Sequence, residues 1–193
     1  GWRRQWHSDL STDLSAYYYR YDGLRGTVVG MPTPPYLPLS LTNVLEASVK
    51  GLELAVDWRL SPAWRLKAGY SYASVSEEDA AGSLGGVSEL TGTTPRHQLT
   101  LLSTYDVTPS LQWDVLLRRV GKLCIGGMSG VTPVAEHTVL DMRLGWRPWK
   151  DFSLSLVGQN LLDARHMEFI DSHIASAPTE VERSVYLKLN WTF

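Results

Sequence analysis

Four side chains that can bind a metal or carry a proton lie within eight residues near the C-terminal end of the chain. They are His166, Glu168, Asp171 and His173. Imidazole nitrogens and carboxylate oxygens are ligands of zinc and related ions. However, their spacing matches no recognised metal motif, and such residues in a surface loop are usually solvated. We therefore predict no resident metal or other cofactor here, and we keep His166 and Glu168 as candidate contacts for a ligand.

A second group of charged side chains is predicted to project from the polar faces of strands. Its members are Arg96, His97, Asp141, Arg143 and Arg183. Arg96, His97, Arg143 and Arg183 are candidate contacts for an anionic ligand in transit. The favoured alternative is pairing with carboxylates of neighbouring strands. The same alternative applies to four charges that face one another across a predicted hairpin: Glu53, Asp57, Arg65 and Lys67.

Composition argues against several function classes. No Gly-x-Ser-x-Gly elbow or comparable motif brings together a nucleophile, a base and an orienting acid, so an enzyme is not expected. Cys124 is the single cysteine, which excludes an intrachain disulfide and a cysteine-based metal site. We expect it to be a small buried or wall residue. The net charge of −2 and the lack of a basic run or zinc-finger spacing give no indication of nucleic-acid binding.

The elements that must position these residues are strands with alternating polarity. From Val181 to Phe193, apolar and aromatic residues fall on one face and polar residues on the other. This pattern suits a wall between lipid and a wet lumen, and it also suits a half-buried strand of a soluble sheet. No stretch approaches the roughly 20 apolar residues of a membrane-spanning helix.

The order of connections favours the membrane. Short turns are predicted at Ser61, Thr108 and Pro148, and long loops at 22–42, 77–94, 121–136 and 161–180. Short and long connections alternate, which is typical of outer-membrane barrels. With 8 Trp and 9 Tyr available for interfacial girdles, we predict an all-β fold. It would be an antiparallel transmembrane β-barrel segment of about eight strands, with short periplasmic turns and long extracellular loops.

Several stretches resemble the TonB-dependent outer-membrane receptors. These are Tyr17 to Leu24 (YYYRYDGL), Val49 to Leu60 (VKGLELAVDWRL), Trp64 to Tyr72 (WRLKAGYSY), Thr94 to His97 (TPRH), Val139 to Trp146 (VLDMRLGW), Gly158 to Phe169 (GQNLLDARHMEF) and Arg183 to Phe193 (RSVYLKLNWTF). Each is weak alone, but their order and spacing extend over nearly the whole chain. One departure is His166, where the family usually has Tyr.

The resemblance implies a barrel of about 22 strands with a plugged lumen. Residues 1–193 would then be its C-terminal part, with the plug domain and the N-terminal strands absent. The implied function is uptake of a ferric siderophore or similar scarce ligand across the outer membrane of a Gram-negative bacterium. Outer-membrane lipid, the periplasmic TonB complex acting through the missing N-terminal region, and the barrel-assembly machinery reading Phe193 are the implied partners.

Two other interpretations stay open. The first is a self-contained eight-stranded outer-membrane barrel with a structural or adhesive role, because about eight strands can close on themselves. The second is a soluble β-rich binding domain, which would stay folded and monomeric without detergent.

Overall fold

The chain folds into one large antiparallel sheet and two small two-stranded sheets. The computed structural model describes residues 1–79, 92–127, 130–170 and 179–193. The strands are β1 (Trp2–His7), β2 (Leu10–Val29), β3 (Leu39–Ser61), β4 (Trp64–Asp79), β5 (His97–Thr108), β6 (Leu111–Val120), β7 (Leu123–Gly127), β8 (Gly130–Val134), β9 (His137–Trp149), β10 (Phe152–Gln159), β11 (Arg165–His166), β12 (Val181–Glu182) and β13 (Ser184–Trp191). The predicted all-β antiparallel fold is confirmed.

Nine strands form the large sheet, in the order β1-β2-β3-β4-β5-β6-β9-β10-β13, and the two small sheets are β7–β8 and β11–β12. The sequence indicated about eight, because Gly1 to Gln5 read as the tail of an earlier strand. Trp2 pairs with Leu14, so this segment is a paired strand of its own. Within the described residues, β1 and β13 are the two edges and do not pair with each other, so the self-contained eight-stranded barrel gains no support. No helix in the part of the chain that the structure describes is long and apolar enough to cross a membrane.

The register places most of the large apolar side chains on one side of the sheet, here called the apolar face. One row across it runs Thr12, Val56, Ala68, Leu101, Leu117 and Leu140. The opposite side, called the polar face, carries rows such as Ser11, Asp57, Lys67, Leu102, Leu116 and Asp141. Many apolar-face side chains are exposed, among them Leu54, Leu101 and Trp113. Exposed apolar area of this extent requires a nonaqueous neighbour.

Strands β2 and β3 extend further than the sequence indicated. The region 22–42 was predicted to be a loop, yet pairing continues to Val29 opposite Leu39. The ladder ends where four prolines begin, at 32–38, because proline has no amide hydrogen to donate. Gly23 has a φ of 66° and lies where the register shifts between Tyr21 and Leu24, a left-handed conformation that glycine adopts without steric cost.

The connections at the two ends of the sheet differ in length. Two-residue turns join β1 to β2, β3 to β4, β5 to β6 and β9 to β10, and the longer connections all lie at the opposite end. The predicted loop 121–136 contains the hairpin β7–β8, and the predicted loop 161–180 contains β11. Cys124 is exposed in β7, so the expectation of a buried or wall position was wrong.

Candidate functional site

Opposite charges pair along the polar face. Arg65 donates hydrogen bonds from Nε and Nη2 to the Asp57 carboxylate, the Nε bond being 2.8 Å long. Lys67 approaches the same carboxylate at 4.0 Å. Three of the four hairpin charges, Asp57, Arg65 and Lys67, therefore adopt the paired arrangement that the sequence favoured for them. The polar face has a fixed pattern of charge rather than a set of independent cations.

Arg143 is the best-connected cation of this face. Its Nη1 donates to Asp114 Oδ2 at 2.5 Å and to Gln112 Oε1 at 2.9 Å, and its Nε donates to Ser155 Oγ at 3.3 Å. The side chains of Arg143 and Asp114 are 40% and 22% exposed, so one side of the group remains open. An arginine held in this way is preorganised to present a cation at a fixed point of the wall.

The other predicted contacts lie apart from Arg143. Arg183 precedes β13 and donates from Nε to the Asp163 carbonyl at 3.2 Å. Arg96 is exposed just before β5. His97 was predicted to lie on a polar face, and this was wrong. It pairs in register with Tyr72 on the apolar face and its Nδ1 lies 2.8 Å from the Tyr70 hydroxyl. Every second residue of a strand lies on the same face, so His97 shares the apolar face with Leu99, two residues further along β5.

His166 and Glu168 join two residues from distant strands in a compact group, here called the histidine cluster (Arg118, His137, His166 and Glu168). Arg118 of β6 donates to Glu168 Oε1 at 2.6 Å. The same oxygen lies 3.2 Å from His166 Nε2 and 3.8 Å from His137 Nε2. The two imidazoles stack with ring centroids 4.4 Å apart and an interplanar angle of 24°. Asp171 and His173 lie outside the described residues.

The two imidazoles of the histidine cluster are buried and Glu168 is half-buried, contrary to the expectation of solvated loop residues. The side chains of His137 and His166 are 5% and 8% exposed. Burial tends to raise the pKa of the Glu168 carboxyl, but the hydrogen bond from His166 and the positive charge of Arg118 outweigh it. The pKa of Glu168 is therefore lowered and the group is held as a carboxylate.

A small apolar core places the loop residues of this cluster. Leu123, Ile125 and Val134 of the β7–β8 hairpin form a buried group, and Met167 and Ile170 pack against it. Met167 stands between His166 and Glu168 in sequence. Its contact with the hairpin turns the two flanking polar side chains towards the polar face of the sheet.

Asn160 fixes the start of the same segment. It is buried and has a φ of 51°, which lies outside the strand region. Two hydrogen bonds hold it in this conformation. Its backbone N–H donates to Asp141 Oδ1 at 2.8 Å, and its side-chain Nδ2 donates to the Val181 carbonyl at 3.0 Å. After β10 the chain turns back towards β9, where the Leu161 amide donates to the Leu140 carbonyl at 2.9 Å.

Sequence reasoning missed Arg118 and His137 as partners of His166 and Glu168. His137 is an even number of residues from Asp141 and Arg143, so its position on the polar face was readable from the strand pattern. Val120 opposes His137 and Arg118 opposes Val139, but this pairing of β6 with β9 depends on long-range register. A conventional motif search could not have found it.

The chain was compared with proteins of known family and structure. The model for the β-barrel of TonB dependent receptor-like proteins matches residues 1–161. The catecholate siderophore receptor Fiu of Escherichia coli strain K12 is 27% identical over 126 residues, which cover 64% of this chain and 17% of the relative. The chain thus spans less than a fifth of the length of this curated relative.

Solved structures give the same fold. The crystal structure of the ferric-catecholate import receptor Fiu from K12 E. coli, in its closed form, superposes with a TM-score of 0.72 at 20% identity, over 97% of this chain and 26% of that one. The ferric yersiniabactin uptake receptor FyuA from Yersinia pestis gives a TM-score of 0.73 at 18% identity, over 99% of this chain and 28% of that one.

Proposed function

The chain belongs to the β-barrel family of TonB-dependent receptors, and from that membership we propose that it forms part of the wall of an uptake receptor. The family comprises transport receptors of the Gram-negative outer membrane rather than enzymes, so the predicted location and non-enzymatic class are confirmed. The cargo proposed here is a ferric siderophore or a similarly scarce ligand. Residues 1–193 are the C-terminal part of the barrel, and the plug and the preceding strands lie elsewhere in the receptor.

The observation that supports this proposal most is the two-sided sheet. One face is apolar and exposed, which suits lipid, while the other carries fixed ion pairs, which suits a wet lumen. The two-residue turns that join neighbouring strands of the large sheet directly lie at one end. At the other end the longer connections build a packed surface from the β7–β8 hairpin and the segment after β10. Recognition residues are commonly carried by such connections on a rigid scaffold.

The partners follow from the same proposal. The edges of the sheet, β1 and β13, pair with strands of the receptor outside this chain, because an unpaired edge promotes association. The energy-transducing TonB complex acts through an N-terminal region, and Phe193 is read by the barrel-assembly machinery. Outer-membrane lipid covers the apolar face. Among the candidate contacts, Arg143 and Arg183 are the cations proposed to meet an anionic ligand.

Uptake of radiolabelled iron tests the function. The complete receptor is expressed in a Gram-negative host that lacks its own siderophore receptors, and a ferric catecholate is the first cargo because the Fiu relative is a catecholate receptor. We expect uptake that disappears when the host lacks TonB. The panel of cargoes contains ferric catecholates, hydroxamates and mixed-ligand siderophores. The proposal would be refuted if the receptor, folded in the outer membrane, took up none of them.

Two variants test the ligand contacts. Arg143→Ala and Arg183→Ala are expected to weaken binding or uptake while the barrel stays folded. Lys150→Ala is the matched control, because Lys150 lies in the short turn between β9 and β10, at the end opposite the loops. Unchanged binding and uptake in both arginine variants would remove the lumen-contact assignment without affecting the receptor function itself.

A further inference from the structure

We propose that His137, His166 and Glu168 form a binding site for a divalent late transition-metal ion such as Zn²⁺. The ligand atoms of these three residues all lie within 4.8 Å of one another. They come from the first residue of β9 and from the segment that follows β10. A bound ion would therefore join a strand end to an extracellular connection.

The distances are close to those of a coordinated ion. Two ligands of a tetrahedral zinc, each about 2.0–2.1 Å from the metal, lie roughly 3.4 Å apart. Glu168 Oε1 lies 3.2 Å from His166 Nε2 and 3.8 Å from His137 Nε2. The two imidazoles stack with their ring centroids 4.4 Å apart, so they would tilt out of the stack to point both Nε2 lone pairs at one ion beside Glu168 Oε1. A fourth position would remain for water or another ligand.

The orientation of His137 supports the same site. Its Nδ1 lies 3.4 Å from the Ala135 carbonyl oxygen, which can only accept a hydrogen bond, so Nδ1 carries the proton. In the neutral ring Nε2 then presents a lone pair towards the Glu168 carboxylate. Two electron-rich atoms that face each other in this way attract a cation, and without a metal ion Arg118 supplies the positive charge beside the carboxylate. A hydrogen bond from the far nitrogen to a carbonyl is also the usual support of a metal-binding histidine.

His166 provides a second, independent observation. Its side chain is 8% exposed and its Nδ1 is buried with no hydrogen-bond partner among the described residues. A buried imidazole usually has both nitrogens satisfied. Because Nδ1 is uncommitted, it can take the ring proton and leave the Nε2 lone pair for a metal.

Arg118 competes for the same carboxylate. It lies 2.6 Å from Glu168 Oε1 and its side chain is 43% exposed, so it can move towards water when a dication binds. The mixed set of two imidazoles and one carboxylate favours Zn²⁺, Cu²⁺ or Ni²⁺ over Ca²⁺ or Mg²⁺, which prefer oxygen ligands. The ion would link the connection after β10 to strand β9 and so hold that connection against the sheet.

Zinc binding to the complete receptor, purified in detergent, tests the site by competition with a metal-sensitive dye. We expect His166→Phe and Glu168→Gln each to raise the dissociation constant of one site by about tenfold or more. The first variant keeps an aromatic ring for stacking, and the second keeps the shape of the side chain. His7→Gln is the matched control, since His7 ends β1 at the short-turn end of the sheet, and it should leave zinc binding unchanged.

Folding of each variant is checked by its heat-modifiable mobility in gel electrophoresis. Folded His166→Phe and Glu168→Gln receptors that bind zinc as the unsubstituted receptor does would overturn the proposal. Arg118→Gln gives a test of opposite sign, because it removes a positive charge beside a ligand oxygen. Tighter zinc binding in that variant supports the shared carboxylate, whereas unchanged or weaker binding would contradict it.

Discussion

Removing either partner of the Arg143–Asp114 pair should destabilise the barrel, but the two losses of stability should differ in size. Asp114 is the more buried partner, and its Oδ1 has no hydrogen-bond partner within the described residues. Replacing Arg143 with Met therefore leaves a poorly solvated carboxylate without a counter-ion. Replacing Asp114 with Asn leaves a more exposed guanidinium that still donates to Gln112. The free energy of unfolding should fall further in the first variant than in the second.

The magnitudes follow from the burial of the pair. Breaking a fully buried ion pair costs about 3–5 kcal/mol, whereas an exposed pair contributes about 0–1 kcal/mol. This pair is half-buried, so we expect a loss of about 2 kcal/mol for Arg143→Met and about 1 kcal/mol for Asp114→Asn. The double variant contains neither charge and should lose about 1 kcal/mol, which gives a coupling energy of about 2 kcal/mol.

Urea unfolding of the complete receptor in phospholipid vesicles, followed by tryptophan fluorescence, measures all four free energies of the cycle. Two results would refute the reasoning. One is a coupling energy below about 0.5 kcal/mol, which is the scatter expected of independent sites. The other is a larger loss for Asp114→Asn than for Arg143→Met, since burial would then not determine which unpaired charge costs more.

Three further predictions concern the wall. A Cβ at Gly51 would collide with the Tyr17 ring, so Gly51→Ala should lower the free energy of unfolding in urea by about 1–3 kcal/mol. Leu101→Arg places a charge on the lipid side and should cost about 2–4 kcal/mol in the same assay, while Thr100→Arg on the polar face should cost much less; equal losses would contradict our face assignment. Deletion of Phe193 should lower the amount of folded receptor in the outer membrane, measured by heat-modifiable mobility; an unchanged amount would exclude a role in assembly.

Period-two alternation was enough to predict the strands that cross the membrane. Leu52 to Leu60 and Val185 to Phe193 alternate so regularly that each face could be assigned from sequence. The same alternation, correctly applied, places His97 on the apolar face, because it is two residues from Leu99. The extensions of β2 and β3 were missed because glycines and the prolines at 32–38 led the whole of 22–42 to be predicted as a loop, although the prolines begin only after β2 has ended at Val29.

The histidine cluster could be predicted only in part. His166 and Glu168 were selected because they are close in sequence, and their burial was missed because it depends on the packing of Met167 against another hairpin. Arg118 and His137 enter the cluster through the register between β6 and β9. Such long-range pairing is set by the whole sheet, and no local pattern specifies it.

The long β2–β3 hairpin has a mechanical consequence. Twenty residues of β2 at about 3.3 Å each extend roughly 65 Å, or about 50 Å along the membrane normal at a tilt near 40°, against an apolar band of about 25 Å. Much of the hairpin therefore projects beyond the outer leaflet. Its ladder is regular except where the register shifts between Tyr21 and Arg25, beside Gly23. We therefore expect a load applied at the tip to bend the hairpin first at that point.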